Sequence, residues 1–208
     1  MQLAKAREIA GTLSKPSKMP CHGYSIPAAL CKVGSKLAQQ EGTPCSKCYA
    51  KKGRYVFPNV QKALVKRYLG TRHPDWVSAM VTQIAKTGDQ YFRWHDSGDL
   101  QDEQHLMNII KIAEQMPKVQ FWLPTLETSI VNKVRSTTDI PSNLTIRLSS
   151  TKIGHPMAQR HDLPTSSIAS DHPDKQYFVC PAPTQGNQCR DCRACWSKDV
   201  KHVQYIGH

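Results

Sequence analysis

Residues 90–123, QYFRWHDSGDLQDEQHLMNIIKIAEQMPKVQFWL, decide the fold class of this chain. Residues 90–95 and 119–123 are short and rich in aromatic side chains, which is typical of strands. Between them, residues 101–115 have helical spacing, with apolar side chains on one face at Leu106, Ile109, Ile110 and Ala113. A strand, a helix and a second strand in this order predict a parallel βαβ unit.

The alternation extends outward in both directions. Upstream, residues 59–69 and 74–86 carry apolar side chains at helical spacing and predict two amphipathic helices. Downstream, the sequence predicts a weak helix and three further strands, at residues 129–134, 144–148, 166–169 and 176–179. We therefore expect an α/β fold, either a partial (β/α) barrel or an open parallel sheet, with cysteine-rich metal-binding loops at its N-terminal and C-terminal ends.

The 208 residues suit a single domain. It divides into a basic, cysteine-rich loop segment at 1–58, the helices and β/α units at 59–179, and a C-terminal cysteine cluster at 180–208. No apolar run approaches the length of a membrane span, and the N-terminus lacks the hydrophobic region of a signal peptide. We expect a soluble, unexported protein with no membrane partner.

Polar side chains follow the predicted strands, where the loops of a parallel sheet converge. His95, Asp96 and Asp99 follow the first strand and are candidate catalytic residues. The alternative is that residues 94–99 form a turn and that Asp99 caps a helix beginning at Leu100. Other histidines are scattered, and we expect each to be a surface or hydrogen-bonded residue: His22, His73, His105, His155, His161, His172 and His202.

The most specific motif is Cys180-x8-Cys189-x2-Cys192-x2-Cys195. In a reducing cytosol, clustered thiols indicate metal binding rather than disulfides. Zinc ribbons bring two CxxC pairs together from separate hairpins, whereas a compact CxxCxxC run resembles ferredoxin-type ligation. We expect a [4Fe–4S] cluster here, with a structural zinc site as the alternative.

Four more cysteines precede residue 53, at Cys21, Cys31, Cys45 and Cys48. Residues 15–53 are dense in proline and glycine and have few periodic apolar side chains, so burial alone does not explain how they are ordered. Metal ligation would order them. We therefore expect one or two clusters, with a single shared cluster of mixed ligands as the alternative.

The positive charge is concentrated in the first third of the chain. Up to Arg72 there are 14 Lys and Arg against two acids, out of 28 and 16 in the whole chain. This distribution predicts contact with nucleic acid, since phosphate is the commonest polyanion, or a face that offsets an anionic cluster. Aromatic and cationic residues alternate here: Tyr49, Tyr55, Phe57 and Tyr68 with Lys51, Lys52, Arg54, Lys66 and Arg67. This pattern is typical of grooves that bind single-stranded nucleic acid. The alternative is that the aromatic residues are ordinary core residues between solvated cations.

The stretches CSKCYAKKGRYVFPNVQKAL, RWHDSGDL, LTIRLSS and the late CP…C..C..CW resemble the gene product 88 family of bacteriophage proteins. The resemblance covers residues 18–196. It implies a phage protein in the cytoplasm of the infected bacterial host, and it implies no particular activity.

The chain also resembles, more distantly, the radical S-adenosylmethionine enzymes. That resemblance implies a [4Fe–4S] cluster on Cys31, Cys45 and Cys48, with Ser97, Gly98 and Asp99 replacing the GGE-like motif that holds the amino group of S-adenosylmethionine. The usual CxxxCxxC is absent, because thirteen residues separate Cys31 from Cys45. Two functions follow: an iron–sulfur enzyme of this kind, or a non-enzymatic iron–sulfur protein that transfers electrons to a redox partner or binds nucleic acid.

Overall fold

The computed structural model describes residues 1–157, 162–170 and 172–207. Within these ranges seven strands form one sheet in the order β1-β2-β3-β4-β5-β7-β6, and every neighbouring pair is parallel. The strands are β1 (Gly23–Tyr24), β2 (Tyr91–Trp94), β3 (Gln120–Thr125), β4 (Leu144–Ser149), β5 (Thr165–Ile168), β6 (Phe178–Val179) and β7 (His202–Tyr205). The helices are α1 (Leu3–Ala10), α2 (Lys32–Leu37), α3 (Pro58–Gly70), α4 (Trp76–Thr87), α5 (Glu103–Gln115) and α6 (Thr128–Arg135).

One face of the sheet carries the main hydrophobic core. Phe92, Phe121 and Leu144 are neighbours in register on β2, β3 and β4, and all three are fully buried. They pack with apolar side chains of α1, α4, α5 and α6, so these four helices cover this face. The arrangement follows from the period of two along each strand and the apolar face of each helix.

The opposite face carries larger and more polar side chains. In the next register position, Arg93, Trp122 and Thr145 are neighbours across β2, β3 and β4. A second apolar cluster covers them, built from Met19, Cys21 and the segment around Cys195 and Trp196. The cysteine-rich loops, rather than helices, therefore cover this side.

The α/β class and the open parallel sheet are confirmed. The edges of the sheet are β1 and β6, and closure into a barrel is not observed among the described strands. The alternative that Asp99 caps a helix beginning at Leu100 is wrong, because α5 begins at Glu103 and its cap is Asp102, whose side chain accepts from the amide of His105. None of the helices in the described ranges combines the length and apolar character needed to cross a bilayer.

The sequence interpretation missed four elements. The segment at residues 15–53 contains β1 and α2, although its prolines and glycines predicted a loop. The chain also has α1 before that segment and β7 near its C-terminus. The last strand inserts between β5 and β6, so the order along the sheet departs from the order along the chain.

Candidate functional site

Three cysteines gather beyond the carboxyl end of β1. Cys31 precedes α2, and Cys45 and Cys48 belong to one turn, in which the amide of Cys48 donates to the carbonyl of Cys45 over 3.3 Å. The thiol of Cys31 interacts electrostatically with those of both Cys45 and Cys48. Residues from two separate parts of the N-terminal segment thus form one group, which we call the three-cysteine site.

Gly34 of α2 leaves room for this group. A Cβ on Gly34 would lie 3.4 Å from the Sγ of Cys45, 3.7 Å from the Sγ of Cys31 and 3.0 Å from the Cβ of Cys31. Both sulfur atoms therefore border the space that a side chain at this position would fill. The absence of that side chain keeps the space between the thiols open.

Two buried carboxylates lie against the three-cysteine site. Asp99 accepts hydrogen bonds from the hydroxyl of Thr125 at 2.6 Å and from the amides of Leu100 and Leu126 at 2.7 and 2.8 Å. Burial raises its pKa to about 7, despite those hydrogen bonds. Glu127 is also buried and accepts from the amide of Val33, in α2, at 2.9 Å.

Both carboxylates act electrostatically on the thiol of Cys31. The loops after β2 and β3 are thereby joined to the cysteine-bearing loop after β1.

The loop after β2 packs directly on the residues that follow β1. The hydroxyl of Ser97 donates to the carbonyl of Ile26 at 3.0 Å, and the amide of Ile26 donates to the carbonyl of Ser97 at 3.1 Å. Gly98 has φ +81°, and a Cβ there would lie 2.3 Å from a side-chain carbon of Ile26. Only glycine suits this position, for both its backbone conformation and its close approach.

Asp96 anchors the basic part of the chain to the end of β2. Its carboxylate accepts hydrogen bonds from the hydroxyls of Ser25 and Tyr55, and its carbonyl accepts one from the hydroxyl of Tyr49. Because Tyr49 follows Cys48 directly in sequence, the same contact fixes one end of the three-cysteine site. Asp96 thus connects the residue that follows β1 with two tyrosines of the basic part.

His95, expected to face substrate, points into the interior. Its ring is buried against Trp94 and His105, with 5.3 Å between the two imidazole centroids, and its backbone has φ +52°. Neither nitrogen of His95 or of His105 has a hydrogen-bond partner among the described residues. Burial, followed by the charge of His105, holds the pKa of His95 well below its usual value.

The remaining histidines mostly match the expectation of surface or hydrogen-bonded residues. His202 is buried between the hydroxyls of Thr165 and Ser167, and the ring of His22 bonds to Asp89 at 2.6 Å. His105 is the exception, a buried ring without a partner. His161 lies outside the described residues.

The C-terminal cysteines line one small pocket on the face of the sheet opposite α4 and α5. Four thiols contribute to its wall, those of Cys180, Cys189, Cys192 and Cys195. The amide of Cys180 donates to Gln204 of β7 at 2.8 Å, and the Sγ of Cys195 lies 3.4 Å from the hydroxyl of Tyr205. The structure brings the whole motif together, and we call it the four-cysteine site.

Arg147 of β4 fixes the loop that carries Cys195. Its side chain is fully buried and donates to four main-chain carbonyls, those of Thr165, Ala194, Ser197 and Val200. The sequence analysis missed this residue. The available signal was an arginine within an otherwise uncharged strand, residues 144–148.

Cys21 lies beside the four-cysteine site rather than with Cys31. It is 1% exposed, packs in the same apolar cluster as Cys195, and interacts electrostatically with Cys189. Cys21 precedes β1 and Cys31 follows it, so the strand carries the two thiols towards opposite ends of the sheet.

The guanidinium of Arg93 connects the two cysteine sites electrostatically. It interacts with Tyr49 and Asp96 near the three-cysteine site and with Cys195 and Tyr205 at the other. It also stacks over the ring of Trp122, with 4.6 Å from its central carbon to the ring centroid.

Burial favours the neutral form of three of these thiols in the protein without metal. Burial, and then the carboxylate of Asp99, raises the pKa of Cys31 to about 12. Burial, and then the neighbouring Cys48, raises the pKa of Cys45 to about 11. Burial likewise raises the pKa of Cys195 to about 11. A bound cation reverses this preference, because a thiol that coordinates metal is deprotonated.

No group of three Cys, His, Asp or Glu side chains in the described ranges is arranged to hold a single metal ion. Mononuclear zinc needs all its thiolates about 2.3 Å from one point. A cubane cluster spreads its ligands, since each thiolate binds a different iron. Thiols around a shared space, as at both sites, are donors that zinc ions and iron–sulfur clusters both use.

Fold and sites together define an α/β protein with an open parallel sheet that carries a three-cysteine and a four-cysteine group. The model of a family described as gene product 88 matches residues 2–198. The chain therefore belongs to the gene product 88 family, as its motifs predicted. No curated protein and no solved structure matches the chain.

Proposed function

We propose that this protein is an iron–sulfur enzyme of the infected bacterial cytoplasm, with a [4Fe–4S] cluster at each cysteine site. Cys180, Cys189, Cys192 and Cys195 would give the second cluster all of its ligands. Cys31, Cys45 and Cys48 would bind three irons of the first cluster and leave one iron without a protein thiolate. A cluster fully ligated by protein suits electron transfer, whereas an open iron suits a reacting molecule.

The observation that carries the proposal is the position of the three-cysteine site. It lies at the carboxyl edge of the parallel sheet, where reactive groups of α/β proteins collect. Loops after three successive strands meet there, with Cys31 after β1, Asp99 after β2 and Glu127 after β3. A purely structural site would not need this convergence.

We propose radical S-adenosylmethionine chemistry as the reaction class. Cys31, Cys45 and Cys48 would hold a [4Fe–4S] cluster with one iron open to S-adenosylmethionine, and the cluster, once reduced by an external electron donor, would supply reductive cleavage chemistry there. The class is suggested by the resemblance of Cys31, Cys45 and Cys48, and of residues 97–99, to the motifs of those enzymes. The loop at Ser97 and Gly98 would lie against the methionine part, with its backbone fixed by contacts with Ile26.

The chain's own residues would prepare the site in two ways. Glu127 fixes the start of α2 beside Cys31 through the amide of Val33, and Asp99 fixes the loop after β3 through the amide of Leu126. Tyr49 and Asp96 hold the turn of Cys48 against the end of β2. These contacts position the ligands before any metal binds.

Anaerobic reconstitution with iron and sulfide tests both parts of the proposal. We expect a brown protein with about eight irons per chain and broad absorption near ~400 nm that bleaches on reduction. With dithionite and S-adenosylmethionine, 5′-deoxyadenosine should form, and the Cys45→Ala and Cys48→Ala variants should form none. A colourless protein with stoichiometric zinc contradicts the clusters. Full iron content without 5′-deoxyadenosine contradicts the enzyme and indicates an electron carrier.

A further inference from the structure

An exposed surface runs from the three-cysteine site along the segment that follows it. Eight large hydrophobic side chains are exposed in the described part of the chain, and five of them lie between residues 49 and 69. Tyr49 is 57%, Val56 54% and Phe57 53% exposed, and the other two are Val65 and Leu69. We call residues 47–69 the basic segment.

The same segment carries unbalanced positive charge. Residues 42–74 contain no Asp or Glu. Six exposed cations lie between residues 47 and 66, and none forms an ion pair with any residue in the described ranges: Lys47, Lys51, Lys52, Arg54, Lys62 and Lys66. Arg67 does not belong to this surface, because it is buried and donates to the carbonyl of Thr12.

Exposed aromatic faces among unpaired cations match one class of ligand. In single-stranded nucleic acid, phosphates need cations and unpaired bases need aromatic surfaces for stacking. Tyr49 and Tyr55 contact each other at 5.7 Å between centroids and are both held by Asp96, so their rings are fixed in place. A membrane surface would instead require a continuous apolar face, whereas the exposed positions of α3 alternate between Lys62, Val65, Lys66 and Leu69.

We infer that the basic segment binds single-stranded nucleic acid and presents one nucleotide to the three-cysteine site. This inference rests on the proposed function for the identity of the site, and on charge and exposure for the ligand. Tyr49 connects the two, because it follows Cys48 directly and is exposed. A base stacked on Tyr49 would lie next to the cysteine turn.

Fluorescence anisotropy with labelled oligodeoxythymidylate and oligouridylate tests the binding, using protein whose iron has been counted. We expect the single strands to bind more tightly than a duplex of equal length. The tighter binder of the two oligonucleotides then identifies the natural substrate as DNA or RNA. Neutralising Lys51, Lys52 and Arg54 to Gln should weaken binding about tenfold and lower the salt slope by about 2. The control neutralises three exposed cations on α4, α5 and the turn after α5, and should change neither: Lys86, Lys111 and Lys118.

Phe57→Ala and Tyr49→Ala should weaken binding several-fold while leaving the salt slope unchanged, because stacking does not release counterions. Photo-crosslinking with a thiouridine-containing strand should label residues 47–57. Equal affinity for the duplex, or unchanged affinity in both aromatic variants, overturns the inference. Binding to vesicles rich in phosphatidylserine, but to neither oligonucleotide, overturns it in favour of a membrane surface.

The two proposals fail separately. Iron-loaded protein that binds no oligonucleotide contradicts this inference and leaves the iron–sulfur proposal intact. Protein that takes up no iron on reconstitution but still binds single strands contradicts the clusters and reduces the basic segment to a nucleic-acid site without chemistry.

Discussion

Arg147 donates a hydrogen bond of 3.1 Å to the carbonyl of Ala194, the residue before Cys195. With its three other carbonyl partners, this fully buried side chain ties the loop of the four-cysteine site to the centre of the sheet. Burial lowers the pKa of Arg147. Because the pKa of a guanidinium is ordinarily far above neutral, the side chain stays charged near neutral pH. A charged group in this position also suits an anionic cluster nearby.

Arg147→Met should therefore release the loop. Four carbonyls would lose their donor inside the protein, and a buried acceptor left without a partner typically costs about 1–3 kcal/mol. We expect a lower urea midpoint and loss of iron from the four-cysteine site. As a matched control, Arg135→Met removes a surface pair with Asp162 and should change stability by less than about 1 kcal/mol. Retention of stability and of all iron in Arg147→Met would contradict the structural role.

The two cysteine sites should lose iron independently. Cys45→Ala removes a ligand of the three-cysteine site, and Cys192→Ala removes one of the other. Each variant should retain about half of the wild-type iron, with the double variant retaining almost none. Cys192→Ala should also lower solubility, since metal binding and folding are coupled in loop-rich sites. If either single variant loses all of its iron, the two groups share one cluster.

Cys21→Ala distinguishes the two possible groupings of the N-terminal cysteines. The sequence placed Cys21 with Cys31, Cys45 and Cys48, whereas the structure places it next to Cys189. The Cys21→Ala variant should retain full iron, because the four-cysteine site is complete without Cys21. Iron loss confined to the three-cysteine site would favour the sequence-based grouping.

The central βαβ units were predictable because their periodicity is strong. Residues 101–115 have a clear apolar face, and the structure has α5 at Glu103–Gln115. β7 was missed because its polar residues His202 and Gln204 hide the pattern, and their partners, such as Thr165 and Ser167, come from a distant strand. Polarity alone could not show that these hydrogen bonds exist.

The two cysteine sites were likewise predictable only in part. Local spacing predicted the four-cysteine motif, because all of its members lie within one loop. It could not assign Cys21, since a strand of two residues, β1, has no period to detect yet sends Cys21 and Cys31 to opposite ends of the sheet. Nor could it foresee that His95 turns into the core, because that depends on a positive φ and on the ring of His105.

Gly34→Val tests whether the space between the thiols is needed. A Cβ at this position already approaches Cys31 and Cys45 closely, and the two methyl groups of valine would extend further between them. We expect loss of iron from the three-cysteine site and retention at the other. Lys36→Val, on the exposed side of the same helix, introduces the same side chain and should keep all iron. Full iron in Gly34→Val would show that the cluster lies elsewhere.

The free energy of unfolding should decrease as the pH is lowered, because of the buried imidazoles. Burial lowers the pKa of His105 to about 4; Asp102 opposes this shift and Arg72 adds to it. The unfolded ring binds a proton near pH 6.5. Between these values the unfolded state binds more protons, so stability is complete above about pH 6.5 and decreases towards pH 4. The decrease from His105 alone is roughly 3 kcal/mol.

His105→Phe should flatten this part of the pH profile, measured by urea unfolding from pH 4 to 8. The ring nitrogens of His105 have no partners among the described residues, so phenylalanine sacrifices no hydrogen bond and should preserve stability at neutral pH. The exposed His172, changed to Phe, is the matched control and should leave the profile unchanged. An unaltered slope in His105→Phe would assign the acid sensitivity to other groups, such as His95.

The hydroxyl of Tyr205 should tune the potential of the four-cysteine cluster. It lies 3.4 Å from the Sγ of Cys195, and burial raises its pKa well above the usual value, so it remains a neutral donor at physiological pH. A hydrogen bond to a thiolate stabilises the more negative, reduced cluster, and therefore raises its reduction potential. Tyr205→Phe removes only this oxygen and should lower the potential by on the order of 30 mV, given that 59 mV corresponds to about 1.4 kcal/mol for one electron.

Potentiometric titration followed by electron paramagnetic resonance measures this shift, in the Cys45→Ala background so that the four-cysteine cluster alone contributes. Tyr91→Phe is the matched control, because Tyr91 packs on Trp196 at the same face without a sulfur contact among the described residues. It should leave the potential unchanged. Equal potentials in Tyr205→Phe and the parent would mean that the hydroxyl does not reach the ligated sulfur, and that Arg93 and Arg147 alone provide the charge compensation of that site.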